Sequence, residues 1–357
     1  MFPTNGDFIQ RHAQAVGVKH IVSVFHIVSN PDVKKTTIEK MVNSNVTEFI
    51  AYVKPSSFFL IKWMRFWKAY ELLLSEVKEI NVVHVHRLYP MGICALLLKK
   101  KLNLNYIITE HWTGYHFTES NPISWFESFF SKRIAKNAHA ICPVSNDLQR
   151  SMEKNGLHGN YVPIPNVVNT SLFKPDKQKK NGFTICHISD LNDDHKNISG
   201  MIRAAAKVSK LIPNTTWNFI GGKSDNYKTL LSHLNLEKIK LNFVDHVSHK
   251  EVCRFLNEAD VFVLFSNYEN LPCVILESFS TGTPVISTDV GGIKEFFPKE
   301  FGYLIEPNNE QELLQKLIQI HKDPKPNPEE MHTYAETHFS PEKICDSFTK
   351  LYLQIQK

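Results

Sequence analysis

The sequence has few features of a membrane-spanning, secreted or metal-dependent protein. Its apolar runs fall short of the ~18–20 residues that a transmembrane helix needs. The start, MFPTNGDF, has neither the basic nor the apolar region of a secretory signal. No CxxC pair or metal-ligand spacing occurs among the six cysteines, which are Cys94, Cys142, Cys186, Cys253, Cys273 and Cys345. Scattered single thiols are typical of reduced compartments, so we expect a cytoplasmic protein.

The charge of the chain is unevenly distributed. The 357 residues carry a formal net charge of +5. Through Leu172 the sequence has 19 Lys and Arg against 12 Asp and Glu, so the remainder is slightly negative. The basic first half indicates an anionic partner or a peripheral contact with an anionic membrane surface. Nucleic acid is not expected as a partner, because neither a dense basic stripe nor a recognised binding motif is present.

Short apolar, β-branched segments alternate with longer helical patterns along the chain. This alternation predicts an α/β fold with two parallel sheets, each covered by helices. A chain of 357 residues is also too long for one ordinary core. In the first half, strands are expected at 20–28, 81–86, 106–109 and 138–145. We predict an N-terminal domain over 1–175, a C-terminal domain over 176–340 and a final helix over 341–357, with a polar linker near 173–182.

The first segment, NGDFIQRHAQAVG, is typical of a glycine turn that enters a helix. In a doubly wound domain this turn follows the first strand, but no strand pattern precedes it here. Two explanations stay open: the start is truncated, or the N-terminal domain has no opening strand.

Two acidic residues, Glu269 and Glu277, stand with seven residues between them in NYENLPCVILES. The preceding DVFVLFS predicts a buried strand, and PCVILESFSTG predicts a helix that ends near Gly282. Glu269 is then expected in the loop at the exit of the strand, and Glu277 about a turn and a half into the helix. Ligands of open α/β sheets bind at this edge. The alternative is that both glutamates are solvated surface residues, as most glutamates are.

The start of the same helix is a candidate anion site. Backbone N–H groups near Asn270, Leu271 and Cys273 are expected to be free of helical partners and to face a ligand. A helix start of this kind favours a phosphate.

The segment SNYENLPCVILESFSTGTPVISTDVGGIKE resembles the signature region of glycosyltransferase family 4, the retaining, nucleotide-sugar-dependent enzymes of GT-B fold. It has the Glu-x7-Glu element, the small-Gly-x-Pro-Val strand and the Gly291-Gly292 turn of that family. Further matches are CPVSNDL (142–148), PIPNVVNTSLFKP (163–175) and ITEHW (108–112). The resemblance implies a cleft between two Rossmann-like domains, with the donor on the C-terminal domain and the acceptor on the basic N-terminal one. It also implies a last helix that crosses back to the N-terminal domain.

The resemblance assigns roles to individual residues. Glu277 would accept hydrogen bonds from the ribose hydroxyls of the donor, and Glu269 would contact the hydroxyls of the donor sugar. His111 would reach that sugar from the opposite domain. Lys196 matches the phosphate-binding lysine, and Gly6 matches the turn where the backbone approaches the diphosphate.

The resemblance also implies a reaction without metal or cofactor. The incoming hydroxyl attacks the anomeric carbon from the leaving-group face, and a β-phosphate oxygen helps to remove its proton. The site must then stabilise charge that builds on the leaving diphosphate. The sequence has no Asp-x-Asp metal motif.

One position departs from the family pattern. In HISDLNDDHKN, Asp190 occupies the place of an arginine that the family has six residues before Lys196. A carboxylate ~4 Å from a phosphate would be repelled by several kcal/mol. Either Asp190 turns away from the phosphate, with Lys196 as one candidate partner, or another residue supplies the charge, for which Lys223 is a candidate.

The segment 56–77 mixes aromatic and basic residues in a helical pattern. Lys62 and Arg65 flank one face, which carries Phe59, Trp63, Phe66 and Tyr70. The helix either covers the N-terminal sheet or rests on a membrane surface.

His84 and His86, in HVHR, alternate along a predicted strand. We expect them on opposite faces. Neither is assigned a catalytic role.

The resemblance implies a retaining enzyme of the hexosyltransferase type. It would move a sugar from a UDP- or GDP-sugar to a glycan or lipid-linked acceptor in cell-surface polysaccharide or lipopolysaccharide synthesis. One alternative is an isomerase of the same architecture, such as a sugar-nucleotide 2-epimerase, which needs carboxylates around the sugar in the N-terminal domain. Another is a non-catalytic sugar-nucleotide-binding protein, which would show neither transfer nor donor hydrolysis.

Overall fold

The fold consists of two successive series of strands and helices. A computed structural model describes residues 7–117, 122–176, 182–234, 236 and 239–355. The elements of the first series are α1 (Asp7–Val16), β1 (Val22–Ser29), β2 (Thr37–Asn43), β3 (Val46–Val53), α2 (Phe59–Ser75), β4 (Val83–His86), α3 (Gly92–Leu102), β5 (Tyr106–Glu110), α4 (Trp125–Asn137), β6 (Ala140–Pro143) and α5 (Asn146–Lys154).

The second series forms the C-terminal half. Its elements are β7 (Phe183–Ile188), α6 (Asp193–Lys196), α7 (Ile198–Val208), β8 (Thr215–Ile220), α8 (Lys228–Ser232), β9 (Ile239–Val244), α9 (His249–Glu258), β10 (Val261–Leu264), α10 (Cys273–Ser280), β11 (Val285–Thr288), β12 (Gly302–Ile305), α11 (Glu310–Lys322), α12 (Pro328–Phe339) and α13 (Pro341–Ile355).

The strands of the C-terminal half form one six-stranded parallel sheet in the order β12-β11-β10-β7-β8-β9. One of its central strands, β10, has the sequence VFVL and is apolar and fully buried. Strands covered by helices on both faces have this continuous apolar pattern. The predicted α/β class with parallel sheets in two domains is therefore confirmed.

The N-terminal half differs from the single parallel sheet that we expected. Its strands form two three-stranded sheets, β1-β3-β2 and β4-β5-β6, and β2 runs antiparallel to β3. Among the described residues no strand precedes α1, and no described strand pairs with both β1 and β4. The two sheets are therefore separate. The hairpin of β2 and β3 was not predicted, and neither TIEKMVN nor VTEFIAYV alternates strictly between apolar and polar residues. Its turn contains Ser44 in the left-handed region, at φ 54°.

The last helix, α13, returns to the N-terminal half, as predicted. Phe348 and Tyr352 on α13 are buried in one cluster with Val16 of α1 and with Ile107 and Cys142 of the β4-β5-β6 sheet. The thiol of Cys345 also donates a hydrogen bond to the carbonyl oxygen of Val16. The end of the described chain therefore completes the core of its beginning.

Helix α2 is buried near its end and exposed near its start. Ala69 and Leu73 are fully buried against the β1-β3-β2 sheet. Near the start of the helix, Trp63 and Met64 are more than half exposed. Among the described residues no helix is both long and apolar enough to span a membrane.

Candidate functional site

The candidate site lies where β10 ends in the C-terminal sheet and α10 begins. The connecting loop contains Glu269 and Asn270, and α10 begins at Cys273, directly after Pro272. Gly282 follows the helix at φ 65°, which matches the predicted stop. The edge beyond the carboxyl ends of parallel strands is where α/β sheets bind ligands.

The N-terminal half meets this loop through the side chain of Asn270. The Asn270 Nδ2 donates to the backbone oxygen of His111 at 2.6 Å. The Asn270 Oδ1 lies 2.8 Å from Nε2 of His116. A further contact runs from Asn166 Nδ2 to the backbone oxygen of Leu271 at 2.6 Å. Asn270 and Leu271 are thus held between the two halves.

Glu269 is a buried carboxylate with 6% exposure. Its Oε1 accepts hydrogen bonds from Lys196 Nζ at 2.5 Å and from Ser266 Oγ at 2.8 Å. The ring nitrogen Nε2 of His195 lies 3.6 Å from the same oxygen. Among the described residues, these contacts are all made to Oε1, so Oε2 stays available for a ligand.

Glu277 is the fifth residue of α10 and is 3% exposed. Its Oε1 accepts a hydrogen bond at 2.5 Å from Nη1 of Arg11, which belongs to α1 in the other half. Burial and ion pairing of both glutamates show that the surface alternative was wrong. A buried carboxylate needs a cation or several hydrogen bonds to offset its desolvation.

A left-handed glycine shapes the loop around Glu269. Gly291 has φ 60°, and a Cβ placed there would lie 1.9 Å from the carbonyl oxygen of Glu269. The next residue, Gly292, donates its N–H to the carbonyl oxygen of Asn270 at 2.8 Å. The Gly-Gly turn thus packs directly against the two residues that the site uses.

His111 follows β5 in a loop that a buried carboxylate fixes. Glu110 accepts hydrogen bonds from the backbone N–H groups of Leu88, His111 and Trp112 at 2.8–2.9 Å. Burial raises the pKa of Glu110, and these N–H groups oppose that shift. The His111 ring packs against Phe8 with centroids 4.3 Å apart. Burial holds the pKa of His111 well below 6.5, so the imidazole is neutral.

His84 and His86 share one face of β4, so our expectation of opposite faces was wrong. Their rings stack with centroids 4.6 Å apart. The reason is geometric, since side chains two positions apart along a strand point to the same side. The ring nitrogens of His84 contact Tyr352 OH at 2.8 Å and Thr109 Oγ1 at 2.6 Å, which gives this histidine a structural role.

Near position 190, the pairing of Asp190 with Lys196 that we considered is not formed. Lys196 pairs with Glu269. Asp190 is exposed, and its Oδ1 accepts a hydrogen bond from the backbone N–H of Asn192. Lys223 is largely exposed and lies 3.8 Å from Asp245. Cys273 is partly buried at the first position of α10, and Gly6 lies outside the described residues.

The two halves match two adjacent family models. Residues 13–172 match the model described as Glycosyltransferase Family 4, and residues 169–338 match the model described as Glycosyl transferases group 1. The chain belongs to glycosyltransferase family 4. The junction of the matches at 169–172 lies near residue 175, where we place the domain boundary; that boundary stays a prediction.

Individual relatives of this family 4 glycosyltransferase are distant. It is 27% identical over 278 residues to a subunit of the phosphatidylinositol N-acetylglucosaminyltransferase of Arabidopsis thaliana, and the match covers 74% of this chain and 59% of the relative. It is 24% identical over 270 residues to the putative teichuronic acid biosynthesis glycosyltransferase TuaC of Bacillus subtilis, and this match covers 72% of this chain and 65% of the relative. The matches thus span less than two thirds of the length of these relatives.

A solved structure shows the same fold. Sucrose-phosphate synthase from Thermosynechococcus elongatus superimposes with a TM-score of 0.81 at 19% identity, over 98% of this chain and 92% of the synthase. This likeness confirms the predicted GT-B fold for the family 4 chain.

Sequence reasoning missed three residues that organise the site. Glu110 lies within the ITEHW match and Arg11 within the first helical segment, but neither was assigned a role, and His116 belongs to no motif that we recognised. The one signal for Arg11 was its place in the first helix after the glycine turn. Its partner Glu277 is 266 positions away, so no local pattern could have paired them.

Proposed function

We propose that the protein is a retaining glycosyltransferase that transfers a sugar from a UDP- or GDP-sugar to a glycan or lipid-linked acceptor in cell-surface polysaccharide synthesis. The observation that carries the proposal is the pair Glu269 and Glu277. Both are buried at the carboxyl edge of a parallel sheet, and both are paired with a cation. Burying two carboxylates there lowers the stability of the fold. The cost is explained if the pair binds a ligand rich in hydroxyl groups.

The donor would lie along the loop from Glu269 to the start of α10. Glu277 would accept hydrogen bonds from the ribose, and Oε2 of Glu269 would accept one from the sugar. Lys196 and the N–H groups near Asn270, Leu271 and Cys273 would face the diphosphate. A charged acceptor makes hydrogen bonds about twice as strong as a neutral one does.

The N-terminal half would supply His111 and the turn at Gly6. Because the His111 imidazole is neutral, it would offer one N–H donor to the sugar. Retention would follow from attack on the leaving-group face, with proton transfer to the departing diphosphate. Lys196 would stabilise the charge that develops there, and we propose that no metal takes part.

The decisive experiment is a thermal-shift screen with UDP-, GDP- and other nucleotide sugars, followed by a transfer assay with the best donor. A ligand at 100 times its Kd stabilises the folded protein by about 2.7 kcal/mol. Retention is then tested by the anomeric configuration of the product. A 2-epimer produced without an acceptor would identify the isomerase instead, and binding without hydrolysis or transfer would identify the non-catalytic protein.

We also propose a peripheral contact with an anionic membrane. Two groups of aromatic residues are exposed in the basic N-terminal half, one around Trp63 on α2 and one around Trp125 and Phe129 on α4, where Trp125 is 79% exposed. Exposed lysines accompany both groups, as Lys62 and Lys132 do. Aromatic and basic side chains together favour the interface of anionic lipid.

The membrane contact is tested by sedimentation with vesicles. We expect binding to vesicles that contain anionic lipid and less binding to neutral ones. Replacing Trp63 and Trp125 by serine should weaken binding, whereas Leu211→Ser, at an exposed apolar residue of the other half, should not. Equal recovery in the supernatant with both vesicle types would refute the contact.

A further inference from the structure

The contact between Arg11 and Glu277 joins the two halves at the candidate ribose site. Arg11 lies on α1 and Glu277 on α10, and their side chains are 15% and 4% exposed. We propose that Arg11 is a positioning residue that holds the ribose-binding carboxylate from the opposite domain. Recognition of the ribose then depends on how the two domains face each other. This inference rests on the role proposed for Glu277.

Arg11 is presented by a rigid element of the N-terminal half. Ala15 and Val16 of α1 are buried against α13 in the same cluster as Phe348. One turn of α1 is further fixed by His12, whose Nδ1 lies 2.8 Å from the carbonyl oxygen of Phe8. The backbone of Arg11 is therefore fixed within the N-terminal half.

The guanidinium group contacts the C-terminal half at two points. Nη1 donates to Glu277 Oε1, and Nη2 lies 2.9 Å from Nε2 of His249 on α9. Since arginine only donates hydrogen bonds, His249 must accept with Nε2 and carry its hydrogen on Nδ1. The planar guanidinium matches two acceptors in fixed directions better than a lysine ammonium does.

The contact leaves Glu277 able to bind a ribose. A carboxylate has two oxygens and about four acceptor sites, and Arg11 uses one site on Oε1. A ribose diol needs two acceptor sites, so the donor and Arg11 can be bound together. Arg11 would fix the rotamer of Glu277 and offset the cost of burying its charge.

A different arrangement would have Arg11 leave Glu277 and bind the diphosphate, in place of the cation that is absent at Asp190. Two observations favour positioning instead. Both terminal nitrogens of Arg11 are engaged with the C-terminal half, and Lys196 already lies on the Glu269 side of the site. The two arrangements predict different effects of removing Arg11. Recognition of the ribose weakens if Arg11 positions Glu277, and binding of the diphosphate weakens if Arg11 contacts it directly.

The test compares the Kd of UDP with that of 2′-deoxy-UDP, and the GDP pair in parallel, by titration calorimetry. A hydrogen bond from a hydroxyl to a charged group makes wild type prefer the ribonucleotide by about 10- to 100-fold. Arg11→Ala should reduce this preference to less than about threefold, and Arg11→Lys should reduce it partly. Glu277→Ala should abolish it, and adding Arg11→Ala to Glu277→Ala should change the preference no further.

The matched control is Arg203→Ala, which removes an arginine paired with Glu310 away from this site and should leave the preference unchanged. Circular dichroism on each variant would confirm that it is folded. If Arg11→Ala kept the ribose preference but lost the preference for UDP over uridine, Arg11 would bind the diphosphate and the inference would fall. If even Glu277→Ala kept the ribose preference, the role proposed for Glu277 would itself be wrong.

Discussion

Replacing Gly291 by alanine tests whether the Gly-Gly turn sets the position of Glu269. The residue has φ 60°, where an alanine costs about 1–2 kcal/mol. The added Cβ would also lie 1.9 Å from the Glu269 carbonyl oxygen, and contacts below 3.0 Å are essentially never seen. The loop must therefore move by about 1 Å, and a misplacement of that size costs on the order of 100-fold in rate. We expect turnover of the best donor to fall by that factor.

Gly156→Ala is a control variant. It separates the effect of backbone strain on turnover from the effect of a displaced Glu269 loop. Gly156 has φ 74°, but its added Cβ would meet the flexible end of Lys132 at 3.1 Å. Both variants should lose stability in urea unfolding, more so Gly291→Ala because its Cβ also meets backbone, and only Gly291→Ala should lose turnover. If Gly291→Ala turned over within about threefold of Gly156→Ala, the rigid coupling between the turn and Glu269 would be refuted.

Three further predictions concern single side chains. Glu277→Ala should mainly raise the Kd of the donor, whereas Glu269→Ala should mainly lower kcat; donor titration and initial rates measure both, and wild-type values for both variants would contradict the proposed site. Lys196→Ala should weaken donor binding at least tenfold, and Asp190→Ala should barely change it; abolished binding in Asp190→Ala would give this residue a direct role. Burial lowers the pKa of His84 to about 3, so on acidification this histidine is protonated in the unfolded chain before it is protonated in the folded protein. The free energy of unfolding therefore falls as the pH drops below about 6.5. At pH 5 this histidine alone lowers the free energy of unfolding by about 2 kcal/mol. Measured by urea unfolding, the free energy of unfolding of His84→Gln should therefore decline less between pH 7 and pH 5 than that of wild type.

The sequence predicted the parts of the site that depend on local pattern. The strand before Glu269, the helix that carries Glu277 and the stop at Gly282 all follow from apolar runs and from one glycine. The burial of both glutamates did not follow, because it depends on cations supplied by other elements. Lys196 was expected at a phosphate, and its contact with Glu269 became visible only in the folded chain.

Two features of the N-terminal half differ from what the sequence led us to expect. The pairing of β2 with β3 was missed because neither strand alternates strictly between apolar and polar residues, so no period of two marks the hairpin. His84 and His86 are two positions apart on β4, so the period of two places both side chains on one face. Arg11 and Glu110 act through partners that the fold brings together, so no propensity or spacing marks them.

The return of α13 to the N-terminal half has a consequence for how the protein is made. Chains emerge from the ribosome N-terminus first, and domains usually fold in that order. Here the surface formed by Ile107, Cys142 and Val16 is covered by residues near position 350. The first domain to emerge must therefore keep an apolar face open until the second domain has been synthesised. A nascent chain stalled before α13 would be a candidate client for chaperones.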